Sequence, residues 1–227
     1  MKPAAAPVRI VIFAKAPMPG FAKTRLIPAL GAQGAADLAR QLLAHTLEAA
    51  LAAQLGPVEL CVTPPVTESA WRTFPVPQAV YWTDQGEGDL GTRMARAARR
   101  TLDAGEAVLL IGTDCPALTA TELKDAASAL QHADATLVPA FDGGYVLLGL
   151  NRFHPTLFSG MAWSTDTVAA ETMRRFQTLD WSVHSRPTLH DIDEPADLQY
   201  LPDAVRAARS PATESPDPLL PRNTHHA

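Results

Sequence analysis

A carboxylate stands at the point where one buried strand of this sequence is predicted to end. Asp114 lies in IGTDCPAL (111–118), directly after an apolar run, and Pro116 prevents that run from continuing as a central strand. In open α/β sheets ligands bind beyond the carboxyl ends of the strands, and a carboxylate held there suits a hard cation such as Mg²⁺ or Mn²⁺. The alternative is a purely structural role, in which Asp114 caps a turn or the next helix.

Two further carboxylates follow the last predicted strand, in HDIDEPADL (190–198). Asp191 and Asp193 are two residues apart on an extended segment. We expect them to point to opposite sides, so that only one faces a metal shared with Asp114. Asp193 also fits the N-cap of a short helix that has Pro195 in its first turn. Both roles of Asp193 are compatible, because one oxygen can cap while the other coordinates.

The loop after the first predicted strand carries three cations. In AKAPMPGFAKTRL (14–26) the charged and turn-forming residues are Lys15, Pro17, Pro19, Gly20, Lys23 and Arg25. A loop of this kind between a strand and a helix can offer backbone N–H groups and cationic side chains to phosphates. It is neither a P-loop nor a G-x-G-x-x-G motif. A solvated surface loop is the alternative interpretation.

A glycine-rich loop, DQGEGDLGTRM (84–94), follows the third predicted strand and opens a helix. Without side chains, its glycines would let the backbone approach a flat base closely and read its edge. An ordinary turn is the alternative, since glycine clusters mark turns of many kinds.

Composition narrows the class of protein. The chain has 227 residues, 47% of them hydrophobic, and a formal net charge of −5. We find no basic patch of the kind that nucleic-acid binders carry, so we expect small-molecule partners and no nucleic acid. Cys61 and Cys115 form no C-x-x-C motif, which argues against a zinc site or a disulfide framework. The apolar run at 8–14 is too short to span a membrane, and we expect a cytoplasmic protein.

Short apolar strands alternate with helices along the chain. Strands are predicted at 8–15, 58–62, 79–83, 107–112, 135–140, 144–150 and 181–185, and helices at 33–54, 90–103, 120–131, 166–178 and from Glu194. Strands that are apolar throughout indicate a mainly parallel sheet covered by helices on both faces. FDGG (141–144) predicts a turn between two strands. We expect one α/β domain over 1–201 and a disordered, Pro- and Ser-rich tail over 202–227.

With these stretches in order, the chain resembles the nucleotide-diphospho-sugar transferase superfamily, which has the GT-A fold, a Rossmann-like mixed sheet. More closely, it resembles a bacterial glycosyltransferase-like family found near radical-SAM and selenium-related or arsenosugar genes. The related 2-phospholactate guanylyltransferase has a similar AK[ST]RL element. The resemblance covers about residues 8–201 and rests on six motifs: KAPMPGFAKTRL, QGEGDLGTRM, IGTDCPAL, PAFDGGYVLLGL, WSTDTV and DIDEPADL.

The resemblance implies roles for residues at these motifs. Lys23 and Arg25 would hold nucleotide phosphates, with Lys15, Pro19 and Gly20 nearby. Asp114 and Asp193 would hold Mg²⁺ or Mn²⁺, and Asp142 would be a base or an acceptor contact. The residues implied to read the base are Gln85, Gly91 and Thr92. Those implied to contact the acceptor are Gly143, Gly144, Tyr145, Trp163, Ser164 and Thr165.

Several reactions stay open at this stage. The D-x-D motif of many glycosyltransferases is reduced here to TDCP, with a single Asp, and the first loop lacks the L-x-x-G-x-G-x-R-M pattern of sugar-nucleotide pyrophosphorylases. Glycosyl transfer from a nucleoside-diphosphate sugar, nucleotidyl transfer from a nucleoside triphosphate and non-catalytic nucleotide binding are all compatible with the residues. A Cys115–His190–Asp191 hydrolase is a further alternative, although a small buried Cys beside a strand end is the simpler interpretation.

Overall fold

A computed structural model describes residues 7–72 and 74–207 of the chain. The strands are β1 (Val8–Lys15), β2 (Val58–Thr63), β3 (Val80–Asp84), β4 (Ala107–Ile111), β5 (Ala135–Pro139), β6 (Tyr145–Leu150) and β7 (Val183–Ser185). The α-helices are α1 (Ile27–Ala53), α2 (Leu90–Asp103), α3 (Ala120–Ala129), α4 (Val168–Thr178) and α5 (Asp203–Ala207). A 3-10 helix, Pro195–Tyr200, precedes α5.

The strands form one mixed sheet in the order β3-β2-β1-β4-β6-β5-β7. β1 pairs in parallel with β2 and β4, β2 with β3, and β5 with β7. β6 is antiparallel to both β4 and β5, because the FDGG turn reverses the chain between β5 and β6. The carboxyl ends of β1, β4, β5 and β7 and the amino end of β6 therefore meet at one edge of the sheet.

Helices cover both faces of this sheet. Leu43, Leu47 and Ala50 of α1 pack with Leu123 of α3 in one core cluster, on one face of the sheet. On the other face, the second cluster contains Met94, Ala97 and Ala98 of α2 and Phe176 of α4. The strands between them contribute fully buried residues to both clusters, which explains why their sequences are apolar without alternation. The predicted fold class, an α/β mixed sheet with helices on both faces, is confirmed.

Past residue 201 the described chain continues as α5. Val205 of this short helix is buried with Ile192, Leu201 and Leu26 in a third core cluster. The predicted domain boundary therefore lies just before a helix that packs on the domain. The remainder of the predicted tail, 208–227, lies outside the described residues. In the part of the chain that is described, no helix is both long enough and apolar enough to cross a membrane.

Candidate functional site

Lys23 joins two of the predicted site carboxylates at the carboxyl edge of the sheet. Its Nζ lies 2.6 Å from Oδ1 of Asp114 and 2.9 Å from Oδ1 of Asp193, and it also donates to the carbonyl oxygen of Ile192. The Lys23 side chain is only 6% exposed, whereas those of Asp114 and Asp193 are 45% and 36% exposed. One buried ammonium thus holds together the end of β4 and the segment that follows β7.

Backbone geometry brings these three residues into contact. The N–H of Ile192 donates to the carbonyl oxygen of Asp114 at 2.8 Å, which fixes the two acidic segments side by side. Lys23 itself has a left-handed backbone conformation, with φ 52°, just before the turn that leads into α1. Burial opposes the charged form of Lys23, but the adjacent Asp114 and Asp193 outweigh it, and the pKa of the ammonium is raised.

A second group of carboxylates adjoins this ion pair. Oxygen atoms of Asp142, Asp191 and Asp193 all lie within 4.8 Å of one another. Burial, together with the negative charges of Asp142 and Asp193, raises the pKa of Asp191 to about 6. The site therefore concentrates negative charge around a single buried lysine.

Asp191 and Asp193 point to the same side, which corrects the expectation that they would diverge. In an extended segment, side chains two residues apart share a face, and the residue between them points the other way. Ile192 accordingly is fully buried in the core, while both carboxylates line the site. The expectation that Asp191 and Asp193 would diverge was wrong, because in an extended segment it is adjacent side chains that point to opposite sides.

The donor set fits a hard divalent cation. Asp114 and Asp193 already converge on one positively charged group, and the carboxylates around them offer oxygen ligands of the kind that Mg²⁺ and Mn²⁺ prefer. In the structure, the Lys23 ammonium lies at the point on which both carboxylates converge. A metal ion bound by these same two oxygens would have to replace it there.

A cavity of about 260 Å³ opens beside the acidic group. Its walls come from strands β1, β4 and β6, from the amino end of α2 and from residues 163–168. Asp114, Asp142, Asp191 and Asp193 lie on its polar side. Five of the six residues implied to contact the acceptor line it: Gly144, Tyr145, Trp163, Ser164 and Thr165. The structure thus brings most of the implied acceptor residues to one cavity.

Gly143 stands next to this cavity for a reason of backbone packing. Its φ is +87°, and a Cβ added to it would lie 2.0 Å from the carbonyl oxygen of Asp166. Its own carbonyl accepts from the N–H of Ala169 at 2.9 Å. Only glycine permits this approach, and the approach sets the position of the segment that carries Trp163 relative to the FDGG turn.

The predicted phosphate loop is mostly open to solvent. Lys15, Pro19, Gly20 and Arg25 are exposed, and only the Lys23 side chain turns inward to the carboxylates. The exposed cations lie between the end of β1 and the start of α1, on the β1 side of Asp114.

The residues implied to read a base have packing roles in the structure. The amide nitrogen of buried Gln85 donates to the carbonyl oxygens of Ala14 and Cys61, at 3.2 and 3.1 Å, and so joins the ends of β1 and β2. The N–H of Thr92 donates to Oδ1 of Asp89, the N-cap of α2. A Cβ on Gly91 would lie 2.5 Å from Nε1 of Trp163, so close contact explains that glycine.

Two features of the site escaped the sequence reasoning. Asp191 belongs to the acidic group, and the ring of His190 is stacked between the rings of Phe141 and Tyr200, with centroids 3.7 and 3.8 Å away. The signal available was the pairing of an aromatic ring with a following Asp, in Phe141-Asp142 and His190-Asp191. Nothing in the sequence, however, shows that these two pairs meet in space.

The hydrolase alternative finds no support. Cys115 is buried, and burial raises the pKa of its thiol to about 11, so the nucleophilic thiolate is scarce at neutral pH. The rings of Phe141 and Tyr200 cover the two faces of His190.

Comparisons with known proteins agree with this architecture. A structure titled "putative nucleotide-diphospho-sugar transferase" from Desulfovibrio desulfuricans G20 is 30% identical, has a TM-score of 0.79, and the match covers 91% of this chain and 89% of that one. The fold is shared with 4-diphosphocytidyl-2C-methyl-D-erythritol synthase from Anaerococcus prevotii DSM 20548 (10% identity, TM-score 0.57, coverage 89% and 100%). It is also shared with a CMP:2-keto-3-deoxy-manno-octonic acid synthetase complexed with CTP (11% identity, TM-score 0.57, coverage 89% and 99%).

Among curated proteins no significant match was found. Residues 46–165, which include Asp114 and Asp142, match the family described as "Uncharacterized protein conserved in bacteria (DUF2064)". This match spans more than half of the chain, and the protein belongs to that family.

Proposed function

We propose that the protein is a metal-dependent transferase with a nucleotide-activated donor, and that it transfers a glycosyl group from a nucleoside-diphosphate sugar to a small acceptor. The observation that carries the proposal is that Asp114 and Asp193 converge on one positively charged group, the Lys23 ammonium. This point lies at the edge of the sheet, between the cationic loop and the cavity. The Desulfovibrio relative, which is described as a nucleotide-diphospho-sugar transferase, supports the proposal. The finer resemblance, to the group found near radical-SAM and selenium-related or arsenosugar genes, belongs to the same proposal.

The proposed roles follow from position and charge. A divalent cation held by Asp114 and Asp193 would supply charge stabilisation at the diphosphate. Arg25 and Lys15 attract the phosphates from the exposed loop, and Lys23, once released from the carboxylates, adds a third positive charge. Asp142 and Asp191, on the cavity side, are placed to orient an acceptor hydroxyl and to accept its proton.

Nucleotidyl transfer is the second candidate. The same residues would serve an attack on the α-phosphorus of a nucleoside triphosphate, because phosphoryl-type transfer depends on positioning and charge neutralisation. The observation that favours it is the fold shared with two cytidylyl-transferring enzymes, one of them complexed with CTP. Glycosyl transfer remains the first proposal because the most identical of the three structures compared is titled as a sugar transferase.

Phosphorus NMR of the products separates the candidates. The protein is incubated with Mn²⁺ or Mg²⁺ and a panel of sugar nucleotides and nucleoside triphosphates, with mixtures of small alcohols as acceptors, and the metal is removed before the spectra are recorded. Glycosyl transfer releases a nucleoside diphosphate, whereas nucleotidyl transfer releases pyrophosphate. Asp114→Asn should abolish turnover, and Asp103→Asn, which changes an exposed carboxylate on α2, is the matched control. Nucleotide binding without any turnover would instead identify a non-catalytic binding module.

A further inference from the structure

The cavity beside the acidic group has an apolar body. Strand residues Phe13, Leu110 and Val146 form one part of its wall, and Met94, Trp163 and Val168 form another. A volume of about 260 Å³ is slightly below the range of about 300–1,000 Å³ that is usual for small-molecule sites. The shape and the lining therefore favour a compact occupant that buries hydrophobic surface.

The charged groups that line the cavity are all negative. Of the described residues in the lining, the four charged ones are carboxylates, and none is Lys, Arg or His. Lys23 is in contact with Asp114 and Asp193 from outside this lining. Even Lys23 and a divalent cation together would neutralise only three of the four negative charges. A carboxylate or phosphate on the occupant would meet like charge here, and like-charge contacts in a confined site strongly disfavour binding.

One hydroxyl on the cavity wall has almost no hydrogen-bonding partner in the described residues. The phenol oxygen of Tyr145 is 3.9 Å from the sulfur of Met94, and a thioether is a weak acceptor. Tyr145 can therefore hydrogen-bond to an occupant. Together with the carboxylates of Asp142 and Asp191, it gives the cavity lining a hydrogen-bond donor and several acceptors. This set matches an alcohol, which donates one hydrogen bond and accepts others.

We infer that the cavity binds a compact, apolar-bodied alcohol as the acceptor and rejects acceptors that carry a carboxylate or a phosphate. The assignment of this molecule as the acceptor rests on the proposed function, but the charge selectivity of the cavity does not. A site with this selectivity differs from one that binds a phosphorylated carboxylic acid as its acceptor. The selectivity also makes the acidic group a specificity determinant in addition to its proposed part in metal binding.

Three probes with one ring and different charge test the inference. Benzyl alcohol, benzylamine and benzoate are titrated into the full chain with Mg²⁺, which is diamagnetic, and dissociation constants are measured by ligand-observed saturation-transfer NMR. We expect benzyl alcohol to bind, benzylamine to bind at least as well, and benzoate to bind about tenfold more weakly or worse. Val168→Trp, which fills the cavity, should abolish binding of benzyl alcohol. Val66→Trp, at an exposed valine outside the cavity lining, is the matched control.

A charge-neutral variant keeps the test decisive if Val168→Trp fails to fold. Asp142→Asn retains the Oδ1 atom that accepts from the N–H of Gly144 at 2.8 Å, so the FDGG turn is preserved. It should raise the affinity for benzoate relative to that for benzyl alcohol, because one negative charge is removed from the lining. Equal binding of benzoate and benzyl alcohol by the unmodified protein, or no binding of any probe, overturns the inference.

A parallel nucleotide titration distinguishes the two failures. If nucleotide and Mn²⁺ bind but benzoate is preferred, the inference about the acceptor falls and the proposed function stands. If the alcohol is selected and no nucleotide binds, the selectivity stands and the transferase proposal falls.

Discussion

Replacement of Lys23 by Met tests the relation between the buried ammonium and the proposed metal. The substitution keeps most of the aliphatic side chain and removes the charge that lies 2.6 Å from Asp114 and 2.9 Å from Asp193. We expect two effects of opposite sign. Without metal the protein loses stability, because two carboxylates lose their shared partner. With metal it gains affinity, because Mn²⁺ no longer has to displace the ammonium.

Exposure sets the size of both effects. Hydrogen bonds to charged groups contribute about 1.5–3 kcal/mol each when buried, whereas exposed ion pairs contribute about 0.2–1 kcal/mol. Lys23 is 6% exposed, but Asp114 and Asp193 are 45% and 36% exposed and can be rehydrated. We therefore assign about 2 kcal/mol to the whole set. This corresponds to a midpoint lower by about 4–8 °C for a chain of this size, and to Mn²⁺ affinity higher by up to about 30-fold.

Calorimetric titration with Mn²⁺ and thermal unfolding of the metal-free protein measure these two quantities. Lys124→Met, which removes the same charge from an exposed position on α3, should change neither by more than a few tenths of a kcal/mol. Mn²⁺ affinity that is unchanged or weaker in Lys23→Met would refute the reasoning, because it would mean that the ammonium and the metal do not share Asp114 and Asp193.

Three further substitutions have distinct expected outcomes. The pKa of Asp191 is raised from 3.8 to about 6, so the folded state disfavours the charged form of this carboxylate. Chemical denaturation should therefore show that Asp191→Asn is more stable than wild type by on the order of 2 kcal/mol at pH 8. This difference should disappear as the pH falls from about 6 to 4. Gly143→Ala should lower the free energy of unfolding by about 2–4 kcal/mol, since its Cβ meets the Asp166 carbonyl, and a normal midpoint would contradict the packing. Gln85→Leu should cost about 2 kcal/mol, because the two hydrogen bonds from the buried amide to the carbonyl oxygens of Ala14 and Cys61 are lost. It should leave nucleotide affinity unchanged if the role of Gln85 is structural; unchanged stability with loss of affinity would restore the base-reading role.

Much of the fold follows from local sequence patterns. All seven strands were predicted to within about two residues. The reason is clear for the inner strands such as β2, β4 and β6, because a strand buried on both faces has to be apolar throughout, whereas the edge strands β3 and β7 are largely exposed. The first helix was predicted to begin at 33 but begins at Ile27. Its first turn precedes Gly31, whose non-helical backbone interrupts the pattern that the prediction relied on. The FDGG turn correctly predicted the hairpin that reverses β6.

The site was predictable in its parts and not in its contacts. Asp114 follows β4 and Asp193 follows β7, and the rule that ligands bind at the carboxyl ends of strands selects both as candidate site residues. The inward turn of Lys23 depends on its left-handed backbone and on a carbonyl 169 residues away, and no local pattern encodes either. The structural use of Gln85 is equally non-local, because it depends on the pairing of β1 with β2.

The most direct test of the central claim is a calorimetric titration of wild type and Asp114→Asn with nucleoside di- and triphosphates and sugar nucleotides, each with and without Mn²⁺. The account predicts that wild type binds nucleotides of one base class, that binding requires the metal, and that Asp114→Asn loses this requirement together with most of the affinity. Nucleotide binding that is equally tight in Asp114→Asn and wild type, or that is indifferent to Mn²⁺ in both, would contradict a metal-bound donor at the carboxyl edge of the sheet.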